Sequence, residues 1–94
     1  MEHTKIELDK LQKSNLTSLI EYAGSISHLS KMTSYPITTI QGWVRRGRIS
    51  KKAAVVISSK QAFSKKFTAE MLRPDITENE VMEFTKTIID NQLV

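Results

Sequence analysis

Ninety-four residues suit one small domain, near the lower limit of what folds without a metal or disulfide. The chain has no cysteine, which excludes a disulfide framework and a thiolate metal site and fits a reducing compartment. The N-terminus is charged rather than apolar, and the longest hydrophobic run, AAVVI at 53–57, is far too short for a bilayer, so a soluble cytoplasmic protein is expected.

The net charge of +4 is modest, but its distribution is not even. Residues 1–21 carry three lysines and four acids. Residues 22–69 carry nine lysines and arginines and no acid at all. Residues 70–94 carry two basic residues and six acids. A 48-residue stretch without a carboxylate presents an unopposed positive field, suited to a polyanion. A solvated surface with randomly scattered charge is the plain alternative.

In chain order, residues 1–13 read as a charged N-terminal extension. Leu16, Leu19, Ile20 and Ala23 then form one apolar helical face, closed by Gly24 as a helix stop. Ser25 caps a short second helix carrying Ile26, Leu29 and Met32. Thr33-Ser34-Tyr35 is a connector, and Pro36 opens a third helix, where its fixed φ is welcome. Ile40, Trp43 and Val44 give that helix its inner face, and Gly47 ends it in the left-handed conformation.

Ser50 caps a fourth helix from Lys51 to about Ser59, with Ala53, Ala54, Val56 and Ile57 available to bury. SSKQAFSKKF is less regular, with Phe63 and Phe67 as core anchors, and Thr68 caps one more turn before Arg73-Pro74. Thr77-Glu78-Asn79-Glu80 matches the capping box and starts a last helix. The expected fold is all-α: five or six short helices, with one domain over 14–76 and a C-terminal helix over 77–94.

Two short helices joined by a three- or four-residue turn, the second ending in arginines, form a helix-turn-helix pattern. A B-DNA major groove admits one helix, and a second helix laid across the backbone holds it in register. Only one side of the recognition helix can then face the core. Ile40, Trp43 and Val44 take that side, which leaves Ile37, Thr38, Gln41 and Arg45 on the other.

The stretch from LIEYAGSISHLSKM through TTIQGWVRRGRIS to LRPDI resembles the Cro-like, YdaS-type helix-turn-helix proteins of phages and prophages, over roughly residues 16–76. WVRRGRIS at 43–50 and LRPDI at 72–76 carry most of the likeness. The resemblance implies a lambda-repressor-like fold and a small transcriptional regulator acting on a double-stranded DNA operator, usually as a homodimer. It also implies that Ser27 faces phosphate, that Ile37, Thr38 and Gln41 face base edges, and that Arg45 and Arg46 flank the groove. Some relatives are described as antitoxins. Ser34 stands where the family has a turn glycine, Ser30 where it has alanine, Thr33 where it has an apolar residue, and Pro36 where it has a serine cap.

Cations in a last helical turn complement the macrodipole, which accounts for Arg45 and Arg46 without any ligand. It does not account for Lys51 and Lys52, which open the next helix against that preference and suggest an anion nearby. With Arg48 they complete the expected basic rim. Gly42, mid-helix, reads equally as a close approach to DNA or as a tight helix–helix crossing. A base-stacking Trp43 lacks an aromatic companion. His3 and His28 make no metal spacing and no nucleophile or phosphate-loop motif is present, so neither an enzyme nor a cofactor is expected.

On the last helix, Val81, Met82, Phe84, Ile88, Ile89 and Leu93 spread over roughly 180°, wider than the stripe of about 100° that one core needs. Met82, Ile89 and Leu93 are therefore expected at a dimer interface. Two rival functions stay open at this level. One is an antitoxin that represses its own operon, with its toxin as partner. The other is an interaction module for a host protein, its charge serving solubility.

Overall fold

A computed structural model describes the chain from Lys5 to Gln92, with side chains from Glu7 to Ile89. Six helices form there and no strand: α1 Lys5–Ala23, α2 Ile26–Thr33, α3 Ile37–Arg46, α4 Lys51–Ser59, α5 Ala69–Leu72 and α6 Glu78–Gln92. None is long and apolar enough to cross a membrane. The chain divides into two compact units, Met1–Ile49 and Ser50–Val94. The division falls inside the 14–76 segment expected to be one domain, at the irregular link after α3. His3 and Leu93 lie outside the described residues or side chains.

The first difference from the sequence reading is α1, which begins at Lys5 rather than near residue 14. Leu8 is half-buried, while Gln12, Leu16, Leu19 and Ala23 are buried, so one stripe with helical spacing runs nearly the whole length. Gln12, only 4% exposed, occupies a position where an apolar residue would have advertised the continuation. Gly24 ends the helix at φ +109°, a conformation that glycine adopts without a Cβ penalty. Its N–H donates to Ile20 O at 2.9 Å. His28 is exposed, and its Nδ1–H donates to Ala23 O.

Ser25 caps α2 as expected, its Oγ accepting from His28 N at 3.1 Å. The turn to α3 is Ser34-Tyr35-Pro36, one residue later than read from the sequence, because Thr33 completes α2 and Pro36 precedes α3. Ser34 adopts φ 66°, ψ 10°, the left-handed region that costs a non-glycine residue roughly 1–2 kcal/mol. Hydroxyls offset that cost. Buried Thr33 donates to Leu29 O at 2.7 Å and accepts from Tyr35 N at 3.3 Å, while Ser30 donates to Tyr35 O at 2.6 Å. Each such bond contributes roughly 1 kcal/mol net. Ser30, Thr33 and Ser34 together form and hold the turn.

Trp43 is 1% exposed, and its ring meets Tyr35 edge-on at 5.2 Å between centroids. An aromatic pair of this kind adds roughly 0.5–1.5 kcal/mol beyond the area it buries. Burial also pushes the Tyr35 phenol above its ordinary value of 10.0, so it stays neutral at physiological pH. Gly47 closes α3 at φ 76°, its N–H donating to Val44 O and that of Arg48 to Trp43 O, a Schellman ending.

In the second unit, Ser50 caps α4, accepting from Ala53 N at 3.2 Å. Val55 is buried in place of the expected Val56, because it joins Ala69 and Ile76 in one cluster. Phe63 and Phe67 are buried within the turn segment, as read from the sequence. Thr68 caps α5 through Met71 N. Thr77 and Glu80 complete the capping box, Glu80 N donating to Thr77 Oγ1 at 3.2 Å and Thr77 N to Glu80 Oε1 at 3.0 Å. Val81, Phe84 and Ile88 of α6 pack on the Val55 cluster.

Because Trp43 is fully buried, Trp43→Ala is expected to cost about 3–5 kcal/mol, enough to unfold a small marginal unit. Urea unfolding followed by circular dichroism measures it. A mutant as stable as the wild type contradicts the central placement of this ring.

Candidate nucleic-acid interface

The rotation of α3 about its axis decides which side chains it offers to a ligand. Ile40, Gly42 and Trp43 are buried, while Ile37, Thr38, Gln41, Val44, Arg45 and Arg46 are exposed. The buried arc is thus centred on Trp43 and includes Gly42. Val44, expected on the inner face, stands at the rim with 44% of its surface exposed. Gly42 lies on the Trp43 side of the helix, and Val44 lies beyond Ile40 at the opposite edge of the buried arc.

A tight helix–helix crossing does not account for Gly42. A Cβ there would meet first the Arg46 guanidinium, with Nη1 at 3.3 Å, rather than another helix. Gly42 is buried, and the Arg46 side chain lies over it. The glycine is a seat for the arginine.

The other expected contact residues divide between the units. Ser27, in the first turn of α2, is exposed. Thr38, Gln41 and Arg45 are spaced three and four residues apart and share one outward strip of α3, with Ile37 beside it. Pro36 supplies no side-chain cap to the first turn of α3, where Thr39 N–H donates instead to Pro36 O at 3.0 Å. Arg45, Arg46 and Arg48 cluster at the other end of the helix. The ion pairs Lys51–Glu80 and Arg73–Asp75 involve none of these arginines.

Lys51 and Lys52 belong to the second unit. The anion that favours a lysine at the start of α4 is present within the chain. Lys51 Nζ donates to Glu80 Oε2 at 2.9 Å, with about a third of each side chain still exposed. Lys51 is therefore accounted for by folding, whereas Lys52 is exposed and not part of that pair. The sequence could not show this, because the partners lie 29 residues apart. Lys13 and Gln12, assigned to an extension by the sequence reading, stand instead on α1 beside the end of α3.

The hydrogen bond from Lys51 is the largest influence on Glu80, followed by that from Thr77 N–H, and together they hold its carboxyl below the ordinary 4.5. A depressed folded-state value means that the pair stabilises above the ordinary value and is lost as pH falls through the lowered one. Glu80→Gln is expected to flatten the fall in melting temperature between about pH 5 and 3. The flattening is partial, because Asp75 is held low in the same way by the Arg73 hydrogen bond. An unchanged acid profile would show that the pair contributes nothing to folding.

No family model, curated protein or solved structure matches the chain.

Proposed function

We propose that this chain is a sequence-specific double-stranded DNA-binding regulator of the Cro-like phage and prophage type, acting in the cytoplasm as a repressor that occupies a promoter operator. One observation carries the reading. A short helix fixed by a buried tryptophan offers an outward strip of Ile37, Thr38, Gln41 and Arg45, inside a 48-residue stretch without a carboxylate. A helix is about 10–12 Å across, close to the width of the major groove. The α2–turn–α3 arrangement suits the geometry in which one helix enters the groove and the other crosses the backbone.

The chemistry of the strip suggests what it reads. Gln41 can pair bidentately with adenine, and Ile37 and Thr38 offer methyl groups to thymine. Gln41→Ala is expected to lose roughly 1–3 kcal/mol on a preferred site, selected from a random duplex library, and to relax one base position. Equal weakening on preferred and random duplexes would make Gln41 a structural or backbone residue. In the same anisotropy titrations, Lys52→Gln should lower the salt slope by about one unit, and Lys51→Gln should leave it nearly unchanged.

The proposed partner of α6 is a second copy. Val81, Phe84 and Ile88 are consumed within the unit, but Met82 is 69% and Ile89 50% exposed. Together with the exposed edge of Val81, Thr85 and Lys86 they line a shallow apolar patch. Two-fold pairing through α6 would allow two recognition helices to address half-sites about 34 Å apart. Met82→Glu is then expected to yield a folded monomer in sedimentation and to weaken binding to a palindromic site. The same oligomeric state before and after substitution would place the interface elsewhere.

A further inference from the structure

The end of α3 and the first half of α1 enclose a cleft of about 490 Å³. Four cations line it: Lys13 from α1 and Arg45, Arg46 and Arg48 from the end of α3 and the residues beyond. One carboxylate, Asp9, faces them, and none of the four enters an ion pair among the described residues. Folding therefore sets four cations against a single carboxylate, an excess of positive charge that a further anion would offset.

Three local features fit such an anion. The Gly47 turn brings the chain back along α1, where Lys13 Cβ stands 4.0 Å from the position a Gly47 Cβ would take. The Schellman ending occupies the carbonyls of Trp43 and Val44, reducing the negative character of the helix terminus. Arg46 lies back over Gly42, so its guanidinium is positioned before any ligand arrives. Arg45 belongs both to this cleft and to the strip with Thr38 and Gln41, so one continuous polyanion could occupy both.

We propose that this cleft is a phosphate site in which Lys13, Arg46 and Arg48 hold a backbone phosphate of the same duplex that α3 reads. The inference rests on the DNA-binding reading and adds α1 to the interface. Arginine suits the role because its planar fork matches phosphate oxygens bidentately, while lysine contributes a point charge.

The test uses the full chain and a fluorescently labelled duplex titrated over a range of NaCl concentrations. Lys13→Gln is expected to lower the salt slope by about 0.9 and the affinity at 0.15 M salt by about fivefold, on every sequence alike. Lys13→Arg should retain both. Gly42→Ala, which brings a methyl to 3.3 Å from Arg46 Nη1, should weaken binding without lowering the melting temperature. A Lys13→Gln protein that keeps the wild-type slope overturns the phosphate site while leaving DNA binding intact. A wild-type protein that binds no duplex overturns both. Saturable stabilisation of the wild type by inorganic pyrophosphate, lost in Lys13→Gln with duplex affinity unchanged, would assign the cleft to a free phosphate compound and overturn the backbone assignment.

Discussion

Burial of Trp43 is the constraint on which the first unit turns. An indole cannot be left half in water at small cost, and Tyr35 meets it edge-on from the turn before the helix. Once that ring is inside, the azimuth of α3 is fixed. A helix of 10 residues has little other freedom, so every remaining side chain is assigned to one face. Ile40 and Gly42 go in with the tryptophan; Thr38, Gln41 and Arg45 come out. The opposite order of dependence is not available, since the outward strip buries too little to orient anything.

The turn that aims α3 shows how one conformational requirement can be met by different chemistry. A left-handed residue is needed between α2 and α3, and glycine would supply it without strain. Here Ser34 takes that conformation, and Thr33 and Ser30 bond the adjacent backbone. Thr33 could be buried only because its hydroxyl finds both a carbonyl to donate to and an N–H to accept from. The three polar side chains work as a set.

Charge is arranged by a similar logic of satisfaction and omission. In the second unit, Glu80 receives Lys51 and the Thr77 N–H, so one carboxylate serves both an ion pair and a helix cap. In the first unit, the arginines after Trp43 enter no ion pair among the described residues, and Gly42 leaves room for the side chain of Arg46. The contrast between lysine satisfied and arginines unsatisfied separates folding charge from charge available to a ligand. Composition alone put all of them in one basic stretch.

Local signals in the sequence determined the helical class and most helix ends. Ser25, Ser50 and Thr68 cap where their hydroxyls can reach an N–H three residues on, and Gly24 and Gly47 stop helices where φ must be positive. These are near-neighbour effects, and near neighbours are what a sequence displays. The burial of Trp43, Phe63 and Phe67 was legible for the same reason, since large apolar rings have few alternatives. Tertiary structure alone decided the rest. Gln12 continues a buried stripe that its polarity conceals, so α1 begins at Lys5 and brings Lys13 beside Gly47. Val44 and Ile40 lie only about 40° apart on a helical wheel, too close for periodicity to tell rim from core. The pairing of Lys51 with Glu80 joins positions 29 residues apart, a meeting set by packing rather than by any local pattern.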